Sequence, residues 1–413
     1  MGRKHNRQKY QQKHELAYVQ ETEARLQRLN QERQENIEAA KEFAKSREIK
    51  KIGEGGYGCV YSPALNCKDY VHNGNYISKF TTQTTAREEA KMMEVIDKLD
   101  PTGIFHYPLI KVCDTHFTPM KCDDCPSDDQ FCQDTCCNIV GSTTLLIYEN
   151  GGEDLNRFST RTAFMSPVGS FKPENMKSLY LGLWRLFFGL YVMHNNDYYH
   201  LDIKLVNITA RVVNSETIVK YIDFGLMLKG SDFQCHTLTP TYMIYPPEII
   251  LLTRDNRADF VDIIKSRFLE LHGSVIWPNK SATSTGYTQT IRDAIGSINQ
   301  VMAELLPMTQ KNVRKIYKRI DVYCLGLAIN MLLSRLQGLA TTPDDIEFTQ
   351  KLLNLTHMMF EMNILKRIGP LAIFKHYISI VKDVYNIDMT HRLDEANLLI
   401  PSDRLEKIRS HHK

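Results

Sequence analysis

The sequence predicts an α+β protein with two unequal lobes, a small β-rich lobe followed by a larger helical one. Its 413 residues are too many for one minimal core and suit a two-lobed protein. Residues 50–80 alternate like β-strands broken by glycines, and helical periodicity prevails from 245 onward. We therefore expect an extension at 1–48, a small lobe at 49–147, a large lobe at 148–405 and a basic tail at 406–413.

The composition is that of a globular protein, with 43% hydrophobic and 24% charged residues. A net charge of only +3 argues against a nucleic-acid binder held by a basic face. The longest apolar run, residues 179–193, is short for a membrane span and contains Arg185. The amino terminus has no apolar segment of the secretory type. We expect an intracellular protein without a transmembrane segment.

The first 48 residues are polar and rich in Gln, Glu, Lys and Arg, which predicts an exposed helix, partly disordered in an alternative interpretation. The first fourteen residues hold five Lys or Arg and no acid. One interpretation is a basic helix that contacts an anionic partner, such as membrane headgroups or nucleic acid. The simpler one is a solvated tail.

The stretch "IGEGGYGCVY" contains a G-x-G-x-x-G pattern made by Gly53, Gly55 and Gly58, flanked by Ile52 and Val60. Glycine lets the backbone approach phosphate closely and point its N–H groups at it. A Rossmann turn has the same spacing but opens a helix, whereas here the chain continues as a strand. The context favours a glycine-rich hairpin that covers a nucleotide.

Lys79 ends the strand-like run "NYISKF" and is a candidate cation for the α- and β-phosphates of that nucleotide. The alternative is a surface lysine on an edge strand. A helix is predicted over 84–99, and its acids could hold the ammonium group. We choose Glu89 over Glu88 because of its spacing on the helix.

The stretch "YYHLDIKLVNI" places a carboxylate, a lysine and an amide in one predicted loop, at Asp202, Lys204 and Asn207. A carboxylate can accept a hydroxyl proton, and an amide oxygen five positions later can ligate a divalent ion. Lys204 can neutralise charge on a transferred phosphoryl group. Sixteen residues after Asn207, Asp223 opens "DFG", where it could chelate magnesium. The alternative is the polar end of an ordinary strand.

Taken together, these motifs resemble those of eukaryotic-type protein kinases over about residues 49–405. The resemblance implies a bilobal kinase fold that uses ATP and Mg²⁺ on a protein substrate. It implies that Asp202 is the catalytic base, that Lys204 contacts phosphate, and that Asn207 and Asp223 are magnesium ligands. Because the lysine is kept, the loop is closer to the Ser/Thr pattern than to the Tyr pattern.

Residues 146–155, "LIYENGGEDL", resemble the hinge between kinase lobes. The resemblance implies that Tyr148 lies near the gatekeeper position. It also implies that Glu149 to Gly151 offer backbone groups to adenine.

Further matches lie downstream. Residues 239–249 resemble the end of an activation segment, with Pro-Pro-Glu in place of Ala-Pro-Glu. "DVYCLG" resembles the start of a helix that anchors the catalytic loop through Asp321. Residues 388–399 resemble a late helix, and the resemblance implies that Arg392 pairs with Glu248.

Two departures from the family pattern matter. Leu201 replaces the arginine that normally binds a phosphate on the activation segment, which implies activity independent of phosphorylation there. The stretch after Glu248 is longer than in the family and carries a helical insertion at about 252–316, either a partner platform or a packed decoration. With the cysteine-bearing insertion at 113–137, the glycine stretch resembles kinases of large nucleocytoplasmic DNA viruses, which implies the host cytoplasm or the virion.

Six of the ten cysteines lie between Cys113 and Cys137. Without a secretory signal, reduced thiols or metal-bound thiols are more plausible than a disulfide scaffold. One C-x-x-C pair and one C-x3-C pair could together hold Zn²⁺ tetrahedrally; disulfides in an oxidising virion or sample, and free thiols, are the alternatives. The candidate ligands are Cys122, Cys125, Cys132 and Cys136, with Cys113, His116 and Cys137 as substitutes.

Two other functions compete with an active protein kinase. A pseudokinase scaffold is disfavoured by the intact set Lys79, Asp202, Asn207 and Asp223. A small-molecule phosphotransferase of kinase-like fold is disfavoured by Lys204 and the Pro-Pro-Glu segment, which serve a protein substrate in the family.

Overall fold

The computed structural model describes residues 49–55, 58–70, 74–115, 142–164, 175–232, 244–249, 300–301, 303–305, 309–361, 363–404 and 406. The predicted extension and the four candidate zinc ligands lie outside these residues, as does most of the predicted helical insertion. Within the described part the chain is α+β, with a small antiparallel sheet and a larger helical part. The predicted fold class is confirmed at that level.

The chain divides into two compact units. The first takes the residues up to Ala90 together with Leu109–Asn150, and the second takes Lys91–Pro108 and everything from Gly151 onward. Each unit has its own sheet structure, and each is described by itself below.

The first unit contains a five-stranded antiparallel sheet in the order β1-β2-β3-β5-β4. Helix α1 (Gln83–Leu99) follows β3 directly. The hydroxyl of Thr82 accepts a hydrogen bond from the backbone N–H of Thr85 at 3.2 Å, which caps the first turn of this helix. The strands are β1 (Lys50–Gly55), β2 (Gly58–Ser62), β3 (Tyr76–Thr82), β4 (Leu109–Cys113) and β5 (Thr143–Glu149).

The connection between β2 and β3 packs on the sheet and brings two cysteines together. Leu65 is buried there, and its N–H donates to the hydroxyl of Ser78 at 2.9 Å. The N–H of Lys68 donates to the carbonyl of Asp114 at 2.9 Å, just past the end of β4. This approach places Cys67 and Cys113 at a Cα–Cα distance of 5.7 Å, and the two form a disulfide.

This disulfide corrects the sequence interpretation for one residue. Reduced or metal-bound thiols were expected, with Cys113 as a substitute zinc ligand, but its sulfur is bonded to Cys67. The two cysteines are separated by 46 positions in the sequence, so only the fold of the β2–β3 connection brings them together.

The second unit carries two small sheets and most of the helices. Strand β8 pairs with β6 and β9, and β7 pairs with β10. The elements are β6 (Glu153–Asp154), α2 (Leu155–Phe164), α3 (Asn175–Gly182), α4 (Trp184–Asn195), β7 (Tyr198–Tyr199), β8 (Ile208–Val213), β9 (Glu216–Tyr221), β10 (Leu228–Lys229), α5 (Gln310–Leu336), α6 (Pro343–Met359), α7 (Pro370–Tyr385) and α8 (Thr390–Leu398), with 3₁₀ turns at Leu205–Asn207, Pro247–Ile249 and Gln337–Leu339.

The core of the second unit is built on helices α4 and α5. Helix α4 is apolar on nearly every side and packs against α7, where the rings of Phe187 and Tyr377 stack at 4.5 Å. Among the described residues, one helical stretch, Gln310–Leu339, is long and apolar enough to cross a membrane, but 67% of its apolar window is buried inside the protein. That burial is expected of a core helix.

Several helix ends carry the sequence signals expected of them. Thr309 caps α5 by accepting from the N–H of Asn312, and Thr342 caps α6 by accepting from the N–H of Asp345. Proline occupies the first turn of α6 and of α7. Asn386 ends α7 in the left-handed conformation, with φ of 54°.

Candidate functional site

The loop between β7 and β8, residues His200–Asn207 and hereafter the 200–207 loop, gathers three of the predicted side chains. The Oδ2 atom of Asp202 accepts hydrogen bonds from Nδ2 of Asn207 at 2.7 Å and lies 3.0 Å from Nζ of Lys204. The same amide donates to the backbone carbonyl of Asp202 at 2.9 Å. The Oδ1 atom of Asp202 is buried and has no hydrogen-bond partner among the described residues.

The environment of Asp202 strengthens it as a base. Burial raises the pKa of this carboxyl above its ordinary value. The hydrogen bond and charge of Lys204 oppose that rise, and so does His200, while the negative charge of Asp223 adds to it. A carboxylate with a raised pKa holds a proton more strongly than an ordinary aspartate does.

The 200–207 loop is anchored by a buried carboxylate on helix α5. Asp321 accepts hydrogen bonds from the backbone N–H groups of His200 and Leu201, both at 2.8 Å. Its Oδ2 atom also lies 2.9 Å from Nε2 of His194, whose pKa is lowered by burial although Asp321 opposes the shift. The predicted anchor is therefore present. It lies well inside the helix, which begins at Gln310, and not at the helix start as expected.

Leu201 turns its side chain into the protein interior, where it is fully buried. Its backbone has a φ of 59°, a left-handed conformation that is costly for a leucine. The carbonyl oxygen of Leu201 accepts a hydrogen bond from the hydroxyl of Tyr245 at 2.6 Å. Leu201 therefore presents no cation. Its backbone is contacted by Tyr245 instead.

Asp223 follows β9 and stands beside the same loop. The N–H of Ile222 donates to the carbonyl of Asn207 at 3.0 Å, which ties the two chain segments together. Phe224 is buried, with its ring 4.9 Å from that of His200 and 6.4 Å from that of His106.

Asn207 and Asp223 present the oxygen atoms that a hard divalent cation prefers. The amide nitrogen of Asn207 is engaged with Asp202, so its side-chain oxygen is the atom that could ligate a cation. Mg²⁺ is usually held by one or two such groups together with substrate phosphates. Among the described residues, no group of three or more His, Cys, Asp or Glu side chains could hold a metal by themselves.

The glycine stretch forms a hairpin and not a strand–helix turn, as predicted. Strands β1 and β2 are antiparallel, with Gly53 opposite Val60 and Gly55 opposite Gly58; Ile52 lies in β1. Gly58 has a φ of 149°, and an added Cβ there would collide with the carbonyl oxygen of Phe80. Packing on β3 therefore requires glycine at this position.

Lys79 on β3 forms an ion pair with the glutamate chosen from the sequence. Its Nζ atom lies 2.6 Å from Oε2 of Glu89 on helix α1. The other carboxylate oxygen, Oε1, accepts a hydrogen bond from the hydroxyl of Tyr148 at 2.8 Å. Sequence reasoning missed the contact of Tyr148 with Glu89, although a tyrosine near the end of a buried strand was a signal for it.

The residues of the predicted hinge contact neighbouring parts of the chain. Glu149 is the last residue of β5, and the N–H of Asn150 donates to the carbonyl of Asn75 at 2.9 Å. A Cβ at Gly151 would lie 2.7 Å from the ring of Tyr107, so close packing requires glycine there. The adenine contacts of Glu149 and Gly151 stay a prediction.

The predicted pairing of Arg392 with Glu248 is wrong. Glu248 is buried and is bound by both terminal guanidinium nitrogens of Arg367, one of them at 3.2 Å from Oε2. Arg392 instead contacts Glu395 of its own helix at 2.8 Å and lies over the ring of Trp184. Sequence reasoning missed Arg367, which lies in the stretch "ILKRIGP" leading into helix α7.

No family model matches the sequence, and no curated protein matches it.

Proposed function

We propose that this protein is a Ser/Thr protein kinase of bilobal kinase-like fold, which transfers the γ-phosphate of ATP to protein hydroxyl groups. The observation that carries the proposal is the carboxylate of Asp202. One of its oxygens is held by Asn207 and Lys204, while the other is buried with no partner among the described residues. A fixed, buried acceptor with a raised pKa suits the removal of a proton from a hydroxyl nucleophile.

In the proposed reaction, Oδ1 of Asp202 orients the acceptor hydroxyl and takes its proton. Lys204 offsets negative charge that develops on the transferred phosphoryl group. Asn207 and Asp223 would hold Mg²⁺, which when bound neutralises phosphate charge. The anchoring of the 200–207 loop by Asp321 keeps these groups in one arrangement.

In the proposal, Lys79 binds the α- and β-phosphates of ATP, and Glu89 keeps its ammonium group in place. The backbone of the β1–β2 hairpin covers the nucleotide. The retained Lys204 favours Ser or Thr over Tyr as the acceptor. Because Leu201 supplies no cation for a phosphate, we propose that activity does not require a phosphorylated activation segment. The resemblance to viral kinases supports the proposal of a location in the host cytoplasm or the virion.

The proposal is tested by incubating wild type and Asp202→Asn with labelled ATP and a peptide array. We expect labelled Ser or Thr peptides with wild type and a loss of about 10³-fold in rate with the variant, because general-base catalysis is removed. Asp383→Asn, at an exposed carboxylate on helix α7, is the matched control and keeps full activity.

Binding of Mg-ATP to Asp202→Asn separates catalysis from folding, since this variant should still bind the nucleotide. Wild type that binds Mg-ATP without labelling any peptide would support a scaffold instead. Labelling of small metabolites in place of peptides would support a small-molecule phosphotransferase.

A further inference from the structure

Lys79 and Tyr148 lie on the same face of the five-stranded sheet. In the ladder between β3 and β5, Lys79 is opposite Leu146 and Ile77 is opposite Tyr148. Residues two apart on a strand point the same way, and directly opposed residues share a face. The two side chains therefore reach Glu89 from neighbouring positions of one surface.

The carboxylate of Glu89 uses one oxygen for each of these partners. Oε2 lies 2.6 Å from the ammonium of Lys79, and Oε1 accepts the hydroxyl hydrogen of Tyr148 at 2.8 Å. The pair is largely withdrawn from water, with side-chain exposures of 16% for Lys79 and 11% for Glu89. A carboxylate held at both oxygens cannot rotate freely, so the ammonium is confined to one place.

We infer that Tyr148 is a positioning residue that holds Glu89 against Lys79 through its hydroxyl group. Its consequence for catalysis rests on the proposed kinase function, because there the ammonium must meet the phosphates of ATP. A phenylalanine would fill the same space without donating a hydrogen bond. The hydroxyl, and not the bulk of the ring, therefore carries the role.

The test is Tyr148→Phe, with Tyr191→Phe as the matched control. Tyr191 also donates its hydroxyl to a side chain, at 2.9 Å from Asn397, but it lies on helix α4 in the second unit. The first readout needs no nucleotide: the rate at which acetic anhydride acylates Lys79, followed by mass spectrometry. An ammonium group that is held against a carboxylate is less accessible to the reagent, so we expect about tenfold faster acylation in Tyr148→Phe. We expect no change in Tyr191→Phe.

The second readout is steady-state kinetics with ATP. We expect KM for ATP to rise about tenfold in Tyr148→Phe, with a smaller fall in kcat. The same substitution made in a Glu89→Gln background tests whether Tyr148 acts through the carboxylate. There it should change Lys79 acylation by less than twofold, since the amide carries no negative charge with which to hold the ammonium group.

The two possible failures can be told apart. Wild type that transfers no phosphate, while Lys79 acylation still responds to Tyr148→Phe, overturns the kinase proposal and the catalytic consequence but keeps the positioning of Lys79. Active wild type with unchanged acylation and KM in Tyr148→Phe overturns the inference and leaves the kinase proposal standing. If Tyr148→Phe changes Lys79 acylation equally in the wild-type and the Glu89→Gln backgrounds, the inference is also overturned.

Discussion

The hydroxyl of Tyr245 donates a hydrogen bond of 2.6 Å to the carbonyl oxygen of Leu201. Leu201 is also held through its N–H, which donates to Asp321. Both backbone groups of this residue are therefore fixed by buried partners. The link joins the segment 244–249 to the 200–207 loop by a neutral contact.

This contact predicts that phosphatase treatment leaves the activity of the purified protein unchanged. The loop is held at Leu201 by a tyrosine hydroxyl and a carboxylate, which are present without any modification. The measurement is peptide phosphorylation before and after treatment. Activity that disappears and returns on rephosphorylation would contradict it.

Tyr245→Phe is expected to lower kcat about tenfold, because one hydrogen bond that holds the 200–207 loop is lost. The decrease should be the same in phosphatase-treated protein. Tyr191→Phe again serves as the control, since its hydroxyl bonds to Asn397 and not to the loop. A kcat equal to that of wild type would show that the loop does not depend on Tyr245.

Asp202→Asn is expected to stabilise the fold at neutral pH while lowering the rate about 10³-fold. Burial raises the pKa of Asp202 in the folded state. The carboxyl therefore stabilises the fold fully below its unfolded pKa, and this contribution is lost as the pH rises through the folded pKa. Urea unfolding should show a gain for the variant over wild type at pH 7 that shrinks towards pH 3. A gain in stability that stays constant with pH would contradict a raised pKa of Asp202 in the folded state.

The acidic limb of the pH–kcat profile is expected to inflect above the ordinary range of an aspartate. Burial raises the pKa of Asp202, and the hydrogen bond and charge of Lys204 partly offset this. Lys204→Ala should therefore move the inflection to higher pH, in addition to lowering kcat. An inflection that stays in place would mean that another group titrates.

Arg367→Ala is expected to destabilise the protein by about 4 kcal/mol, because it leaves the buried carboxylate of Glu248 without its partner. Arg392→Ala should cost about 1 kcal/mol or less, since its contact with Glu395 is partly exposed. Denaturant unfolding of both variants measures the difference. Similar losses for the two arginines would contradict the observed pairing.

Parts of the site could be predicted because the residues concerned are close together in the sequence. Asp202 and Asn207 share one loop, so their spacing alone brings them together. The choice of Glu89 for Lys79 followed from helical spacing next to a strand. The partner of Glu248 could not be found this way, because Arg367 and Arg392 are both far along the chain and only tertiary packing selects one. The disulfide of Cys67 and Cys113 likewise depends on how the β2–β3 connection folds over the sheet.

The hydrogen bond from the N–H of Ile222 to the carbonyl of Asn207 makes the two proposed magnesium ligands mechanically dependent on each other. It lies one residue before Asp223 and on the backbone of Asn207 itself. A compound that displaced the turn after β9 would pull on both ligands at once.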